Sequence, residues 1–415
     1  MAGRQTEVTI SGYATSWSDN VDLDFGPGIT VDDMIVASPT AIVARLTVAG
    51  TATLGPRDVK VGGMTYEQGF TLESPLGVTV QGTAAQGSVA TVVVQSRAFD
   101  ITFDDTATGD GFFTPLEYTN FTMDAGEGLQ MVPNSLSVSP YEARAMFFID
   151  VTVDAGPRDI TIESGPAGST TTMLAPGAME VAARTAMPIP LGTPATGMQE
   201  EAYGTQLYSV SPATGSVVDL RVSAASSEAS AMMAVLPSNG RWDSMISFAE
   251  RSFFEPASAS DTFYLVYYDA SGAVDYSYTV NAAQVTPAML MDETTPEPAN
   301  DSRETAQSAA QMPFRISGAL DAQEDEDWFS FTVSAADAGR TITVGTYAGD
   351  ATTDTVVQVL GPDGSPLGES DDASFLDSLS VSSAAGGGTH YVQIRHSTYP
   401  YDASNSHYRA IVKLD

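Results

Sequence analysis

The chain has 415 residues, of which 52 are acidic and 17 are basic, and its formal net charge is −35. A charge of this sign repels a phosphate backbone and an anionic bilayer, which argues against nucleic acid and acidic membrane surfaces as partners. The absence of cysteine excludes disulfides and thiolate chemistry. No apolar run reaches the length of a membrane span, so direct membrane insertion is not expected.

A duplication organises the first half of the sequence. The phrase GPRDVKV, which begins at Gly55, returns as GPRDITI at Gly156, and an Asp-x-Gly-x-Gly spacing at Asp24 returns at Asp124. A period of about 100 residues fits a whole β-sandwich domain rather than a solenoid repeat. The abundance of Val, Thr, Ser, Ala and Gly favours strands and turns. We therefore predict an all-β protein of tandem β-sandwich domains, two immunoglobulin-like and then two jelly-roll-like.

The first predicted domain covers residues 5–75, and within it Ala41–Val48 alternates in the manner of a half-buried strand. The second covers 76–183, with Met146–Val153 as its most apolar strand. These domains resemble bacterial immunoglobulin-like domains of the IPT/TIG kind. The residues that carry the resemblance are Phe25–Val31, Ser38–Thr40, Gly55–Val61 and Gly69–Leu72.

The third predicted domain, 199–288, follows a stretch at 183–198 that is rich in Pro, Ala and Thr and is typical of a linker. The fourth, 297–415, follows a second such stretch that also contains Glu. The strand Leu207–Val210 precedes a glycine turn, and Trp328–Phe331 does the same in the fourth domain. This shared layout favours the hypothesis that the third and fourth domains are a second duplicated pair.

Several separated motifs of the fourth domain fall in one characteristic order. They are Glu297–Ser302, Gly318, Glu324–Phe331, Asp354-Thr355, Gly361–Gly364 and Gly388–Val392. This order resembles the bacterial pre-peptidase C-terminal domain, a jelly-roll sandwich found at the ends of secreted proteases and many surface proteins. It is also similar to the collagen-binding domains of clostridial collagenases.

Oxygen-bearing side chains in this domain suggest a calcium site. Ca²⁺ takes about six to eight oxygen ligands, and a flexible acidic segment can fold onto it. Glu297, Asn300 and Asp301 lie on the predicted linker, whereas Asp325 and Asp327 alternate at strand spacing and project to one side. A cation that joined the two groups would hold the linker to the sandwich, and the resemblance implies ligands at these five positions. The alternative interpretation is a solvated linker beside a wet strand edge.

The sequence lacks the Gly-x-Ser-x-Gly, His-Glu-x-x-His and phosphate-loop motifs of common enzymes. We therefore predict a non-enzymatic binding or spacer protein, adhesin-like or matrix-like, with a calcium-stabilised last domain. Its expected partner is a polysaccharide, an extracellular matrix protein or another copy of itself. Tyr399 and Tyr401, in a predicted loop, are candidate contact residues.

Besides the hypothesis that the last domain serves mainly as an export tag removed after secretion, two alternatives stay open. One is a secreted hydrolase that degrades polymers with a pair of carboxylates, or an accessory region of such an enzyme. The other is a subunit of a self-assembling surface filament, because uncovered sheet edges favour strand pairing between copies. No apolar segment follows Met1–Gln5, so the expected form is a mature bacterial protein, secreted or on the cell surface, whose leader has been removed.

Overall fold

The computed structural model describes residues 5–96, 99, 121–139, 141–165, 171–293, 300–320, 322, 324–347, 354–371, 377–397 and 407–415. Over these residues the chain is nearly all β, and its one helical segment is a 3-10 turn at Trp242–Ser244. The sheets form β-sandwiches, so the predicted fold class is confirmed. The chain divides into two compact units, Met1–Arg184 and Thr185–Asp415. Within the described ranges, no helix has the length and apolar character needed to cross a membrane.

The first sandwich of the N-terminal unit has six strands. They are β1 (Gln5–Ser11), β2 (Leu23–Asp24), β3 (Ile29–Ser38), β4 (Ala41–Val48), β5 (Gly55–Val61) and β6 (Met64–Leu72). One sheet has the order β1-β4-β3 and the other β2-β5-β6. The alternation predicted for β4 is confirmed, because Ile42, Ala44, Leu46 and Val48 are all buried.

The second sandwich of this unit has eight strands. They are β7 (Gly77–Gln81), β8 (Val89–Gln95), β9 (Phe121–Asp124), β10 (Leu129–Met131), β11 (Ser137–Val138), β12 (Glu142–Ile149), β13 (Gly156–Ser164) and β14 (Thr171–Val181). One sheet runs β10-β12-β8-β7 with β11 also on β12, and the other runs β14-β13-β9. The order β9-β13-β14 repeats β2-β5-β6, and β8-β12-β10 repeats β1-β4-β3. The duplication read from the sequence is thus a duplication of topology.

The repeated GPRD phrase has the same structural role in both copies. Asp58 accepts a hydrogen bond from the backbone N–H of Gln68 at 2.9 Å, and Asp159 accepts one from Gly177 at 2.7 Å. Both donor residues have positive φ, 54° and 57° respectively. In each copy the strand pairing also shifts register at the Arg-Asp step. The repeated aspartate therefore fixes a left-handed residue in the neighbouring strand.

The two glycines of the second Asp-x-Gly-x-Gly turn offer a matched test of packing. Gly126 and Gly128 have φ values of +90° and +76°, so alanine is strained at both. A Cβ at Gly128 would lie 2.7 Å from Cγ2 of Val153, whereas at Gly126 nothing lies within 4 Å. We expect Gly128→Ala to destabilise the unit by about 1–3 kcal/mol more than Gly126→Ala. Urea unfolding followed by circular dichroism measures the difference, and equal midpoints would contradict this account.

The C-terminal unit contains two further sandwiches. The third has β15 (Met187–Pro188), β16 (Ala195–Gln199), β17 (Thr205–Val210), β18 (Val217–Ala224), β19 (Ala231–Leu236), β20 (Ser247–Ala249), β21 (Arg251–Phe254), β22 (Phe263–Asp269) and β23 (Tyr276–Val285). The fourth has β24 (Met289–Asp292), β25 (Gln307–Ala309), β26 (Phe314–Ala319), β27 (Glu326–Val333), β28 (Thr341–Tyr347), β29 (Thr355–Leu360), β30 (Pro366–Ser370), β31 (Ser378–Ser382), β32 (Gly388–His396) and β33 (His407–Leu414).

These two sandwiches share one topology. The sheets β15-β17-β22-β19-β20 and β16-β23-β18-β21 return ten strands later as β25-β27-β32-β29-β30 and β26-β33-β28-β31, with β24 added beside β26. The parallel pairing of β15 with β17 in the third sandwich returns as the parallel pairing of β25 with β27 in the fourth. The structure therefore agrees with the hypothesis of a second duplicated pair. The stretch at 183–198 is not a linker, because its backbone supplies β15 and most of β16.

Candidate functional site

Three acidic side chains lie close together inside the fourth sandwich, and we call Glu293, Asp325 and Asp327 the acidic cluster. Asp325 immediately precedes β27, Asp327 lies within it, and Glu293 follows β24. Asp327 is completely buried and Asp325 is 6% exposed. The alternative of a wet strand edge therefore fails for both aspartates.

Asp327 is held by hydrogen bonds from two sides. The hydroxyl of Tyr408 on β33 donates to Oδ2 at 2.7 Å, and the amide Nδ2 of Asn300 donates to Oδ1 at 2.9 Å. Gly318 on β26 is paired directly opposite Tyr408 on β33. A Cβ at Gly318 would approach the Tyr408 hydroxyl to 2.6 Å. The tyrosine reaches the acid because its neighbour has no side chain.

Burial raises the pKa of Asp327 to about 7, even though hydrogen bonds from Tyr408 and Glu293 lower it. The negative charge of Asp325 adds to the upward shift. A hydrogen bond between the carboxyl groups of Glu293 and Asp327 requires one of them to carry a proton. The acidic cluster therefore retains a proton near neutral pH, as expected where negative charges crowd in a buried site.

The structure brings together three of the five predicted metal ligands, Asn300, Asp325 and Asp327. The backbone carbonyl of Asn300 accepts the N–H of Trp328 at 2.9 Å, which fixes the segment against β27. Asn300 is 1% exposed, and its side-chain Oδ1 is buried without a hydrogen-bond partner in the described part of the chain. Asp301 follows it and is half-buried.

The other predicted site residues, Glu297, Tyr399 and Tyr401, lie outside the described residues. Within the described ranges no three His, Cys, Asp or Glu side chains form a ready-made metal site. The oxygens of Asn300, Asp325 and Asp327 could contribute to holding a hard cation, since carboxylate and amide oxygens are the ligands that Ca²⁺ takes.

Sequence reasoning missed two members of this site, Glu293 and Tyr408. Glu293 accepts the backbone N–H of Ala319 at 2.7 Å, so it is tied to the end of β26. Tyr408 is the first inward-facing residue of β33 and is fully enclosed at 2% exposure. The sequence offered no signal for this contact, because the pairing of Gly318 with Tyr408 is visible only in the structure.

A second cluster of charged residues lies where the third and fourth sandwiches meet inside the C-terminal unit. Its apolar centre joins Val217 and Phe253 of the third sandwich to Tyr347 and Ile411 of the fourth. A Cβ at Gly345 would come within 2.0 Å of the Phe253 ring, so the glycine allows the two sheets to meet. Apolar burial of this kind stabilises the contact between sheets.

Asp219 is the centre of the larger ionic group at this contact. It is 1% exposed and pairs with Arg251 at 2.8 Å, Arg221 at 2.9 Å and Lys413 at 2.9 Å. Burial acts to raise the pKa of Asp219, but hydrogen bonds from Arg251 and Arg221 outweigh it and hold the pKa well below its ordinary range. Asp415 pairs with Arg221 and Lys413 and completes the group.

Glu255 forms a smaller ionic group on the other side of the apolar centre. It accepts hydrogen bonds from Arg315 at 2.9 Å and from the Tyr347 hydroxyl at 3.2 Å, and it also pairs with Arg409. Five of the 17 basic residues of the chain thus serve this one contact, namely Arg221, Arg251, Arg315, Arg409 and Lys413. A cavity of about 280 Å³ opens beside Asp219.

Comparisons with known proteins give limited likenesses. A family model for "Quinohemoprotein amine dehydrogenase, alpha subunit domain III" matches residues 1–72. No curated protein matches the chain. The resemblance of the last domain to pre-peptidase C-terminal domains stays a prediction.

Among solved structures, the secreted serine protease VesC from Vibrio cholerae is 10% identical with a TM-score of 0.20, and the match covers 62% of this chain and 57% of VesC. A carbohydrate-binding module of the β-sandwich superfamily is 10% identical, with 82% and 96% of the two chains covered and a TM-score of 0.16. The glucan-utilisation protein SGBP-B from Bacteroides ovatus is 10% identical, with 94% and 92% covered and a TM-score of 0.17. Likeness at this level carries no functional argument.

Proposed function

We propose that this chain is an exported, non-enzymatic binding and spacer protein whose last sandwich is stabilised by Ca²⁺. The observation that carries the proposal is the contact between the third and fourth sandwiches. An apolar centre flanked by the buried Asp219 and the half-buried Glu255, each paired with arginines, opposes pivoting between the two modules. Contacts within a chain usually allow relative domain motion unless they are large and well packed. A fixed pair suits a spacer that holds a binding surface away from its anchor.

The calcium component rests on the acidic cluster. Asp327 and Asp325 are buried beside each other, and the buried Oδ1 of Asn300 lies in the same place. Bound Ca²⁺ would supply the positive charge that neutralises these oxygens. The residues of the chain would contribute carboxylate and amide ligands, and Tyr408 would orient Asp327 through its hydroxyl. The segment at Asn300 would then be held to β27 by the ion as well as by its backbone.

The hydrolase alternative finds less support in the described residues. A glycosidase needs a carboxyl group whose pKa is raised and which reaches the substrate. Asp327 has the raised pKa, but its side chain is completely buried and is bonded to Tyr408 and Asn300. It is therefore unsuited to protonate a polymer.

The proposal is tested by incubating the full chain with insoluble cellulose, xylan, chitin and fibrillar collagen. We expect the protein to be retained by at least one of these polymers and to release neither reducing sugars nor peptides. Release of soluble products in proportion to the protein added would contradict the non-enzymatic assignment. Failure to be retained by any of the polymers would contradict the binding assignment.

A further inference from the structure

One face of the fourth sandwich carries a row of polar and aromatic side chains that the core does not use. The row, which we call the outer row, consists of Trp328 on β27, Gln393 on β32, Gln358 on β29 and Glu369 on β30, each directly opposite the next. Alternate residues on the same strands, such as Phe329, Val392 and Val357, face the core. Four neighbouring strands span about 14 Å at the usual strand spacing.

Hydrogen bonds fix most of the outer row, and three of its four side chains stay accessible. Gln358 donates to Glu369 at 2.8 Å, and the Trp328 indole N–H donates to Glu326 at 3.0 Å. Trp328 and Gln358 are half-buried, Glu369 is exposed and Gln393 is 7% exposed. The row thus combines a held indole with the accessible amide of Gln358 and the accessible carboxylate of Glu369, both of which keep hydrogen-bonding capacity.

The duplicated third sandwich shows that this pattern is not required by the fold. When the parallel pairs β15·β17 and β25·β27 are aligned, the matching row is Leu207, Val266, Ala234 and Phe248. Leu207 is 1% exposed, and Val266 and Ala234 are completely buried. One topology therefore carries an apolar, buried row in one copy and a more polar row with three accessible members in the other. Packing in the interior explains the row of the third sandwich, but it does not explain the side chains of the outer row.

We propose that the outer row is a binding platform for a neutral polysaccharide. The inference rests on the proposed binding function and gives it a location. A pyranose ring has an apolar C–H face that packs on an indole, and its hydroxyl groups exchange hydrogen bonds with amide and carboxylate side chains. Trp328 supplies the first kind of contact, and Gln358 and Glu369 supply the second.

Charge selects a neutral chain over an acidic one. Arg395, the cation beside the row, donates to Glu369 at 3.3 Å and to the carbonyl of His396 at 3.4 Å. Arg303 lies over the ring of Tyr391, 5.8 Å from its centroid, and bounds the face on the other side. With Arg395 already paired and the whole chain at −35, a polyanion gains little attraction and meets long-range repulsion.

The test is affinity electrophoresis of the full chain in gels that contain hydroxyethylcellulose, xyloglucan, galactomannan or soluble xylan, with polygalacturonate as the acidic comparison. We expect retardation in at least one neutral gel and none in polygalacturonate. Trp328→Ala should weaken the affinity about ten-fold or more through loss of the ring contact. Gln358→Ala, which removes a surface amide and keeps the core intact, should weaken it about three- to ten-fold.

Tyr203→Ala is the control, since Tyr203 is an aromatic of the third sandwich that is 44% exposed and lies outside the outer row. It should leave retardation unchanged. Thermal unfolding checks that each variant folds, and Gln358→Ala carries the test if Trp328→Ala does not. Retardation that survives both outer-row substitutions would overturn the platform but leave the binding function standing. The platform is also overturned if no neutral gel retards the chain. It is overturned too if Trp328→Ala abolishes binding to fibrillar collagen and leaves binding to the neutral polysaccharides unchanged.

Discussion

Replacing Asp219 with alanine is expected to destabilise the C-terminal unit by about 3–5 kcal/mol, because it leaves the largely buried Arg251 without its anion and Lys413 with Asp415 alone. The side chains of Arg251 and Lys413 are only 14% and 11% exposed. The loss should appear in calorimetry of the full chain as a lower unfolding temperature for the C-terminal unit. We also expect the third and fourth sandwiches to unfold in separate transitions once their contact is broken.

The matched control is Asp243→Ala, which removes a surface partner of Arg241 from the same sandwich. Both members of that pair are about half exposed, so water replaces the lost contact and little change is expected. If the two substitutions had equal effects, the Asp219 group would not hold the sandwiches together.

Acid should weaken the same contact. The pKa of Asp219 is held below its ordinary value in the folded state, so its contribution is complete above the unfolded pKa of about 4. It is lost progressively as the pH falls below that value. Asp219→Ala should therefore lose less stability than the parent chain between pH 5 and pH 2.

The second large effect concerns Asp327. Its pKa of about 7 in the folded state lies above the ordinary carboxyl value, so the folded state prefers the protonated form. This contribution is complete below about pH 4 and is lost as the pH rises through 7, which amounts to about 4 kcal/mol. In the presence of a chelator the fourth sandwich should therefore be less stable at pH 8 than at pH 5.5. Added Ca²⁺ should restore stability at pH 8, because the ion favours the ionised form.

Asp327→Asn isolates this effect, because asparagine keeps an oxygen that can accept the hydrogen bond from Tyr408. The variant should be more stable than the parent chain at pH 8 in chelator, and it should respond weakly to Ca²⁺. Burial lowers the pKa of His396, which is a second source of pH dependence in this sandwich, so the informative quantity is the difference between parent and variant at each pH. If the parent chain and the variant had the same dependence of stability on pH in chelator, the assignment of the proton to Asp327 would be contradicted. If added Ca²⁺ raised the stability of the parent chain and of the variant by the same amount, the role of Asp327 as a ligand would be contradicted.

The sequence predicted the features that depend on local pattern. Strand alternation at Ala41–Val48 and the repeated Asp-Gly turns are set by neighbouring residues, and both occur as expected. The proximity of Asn300 and Asp327 agrees with the arrangement that the resemblance of the last domain implies. Their partner Tyr408 lies 81 residues from Asp327, and no local pattern specifies a contact of that separation.

The contact between the third and fourth sandwiches was also beyond the sequence. On β33 the residues Arg409, Ile411 and Lys413 alternate with core residues, which is the pattern of a strand with one solvated face. Only the structure shows that this second face meets Glu255 and Asp219. The prediction of a linker at 183–198 was wrong for a similar reason, because Pro and Gly are compatible with both a linker and a short edge strand.

The strand order of the C-terminal unit has a consequence for how it folds during synthesis. In the fourth sandwich the last strand made, β33, lies between β26 and β28, and in the third the last strand, β23, lies between β16 and β18. The ladder between β26 and β33, in which Phe314 pairs with Val412, cannot form before β33 is synthesised, and the same holds for β23 in the third sandwich. Each sandwich therefore passes through an intermediate with open sheet edges while the chain is being synthesised. Such intermediates avoid aggregation either by binding chaperones or by having a sequence that aggregates slowly. The large acidic excess favours slow aggregation, since like-charged nascent chains repel one another.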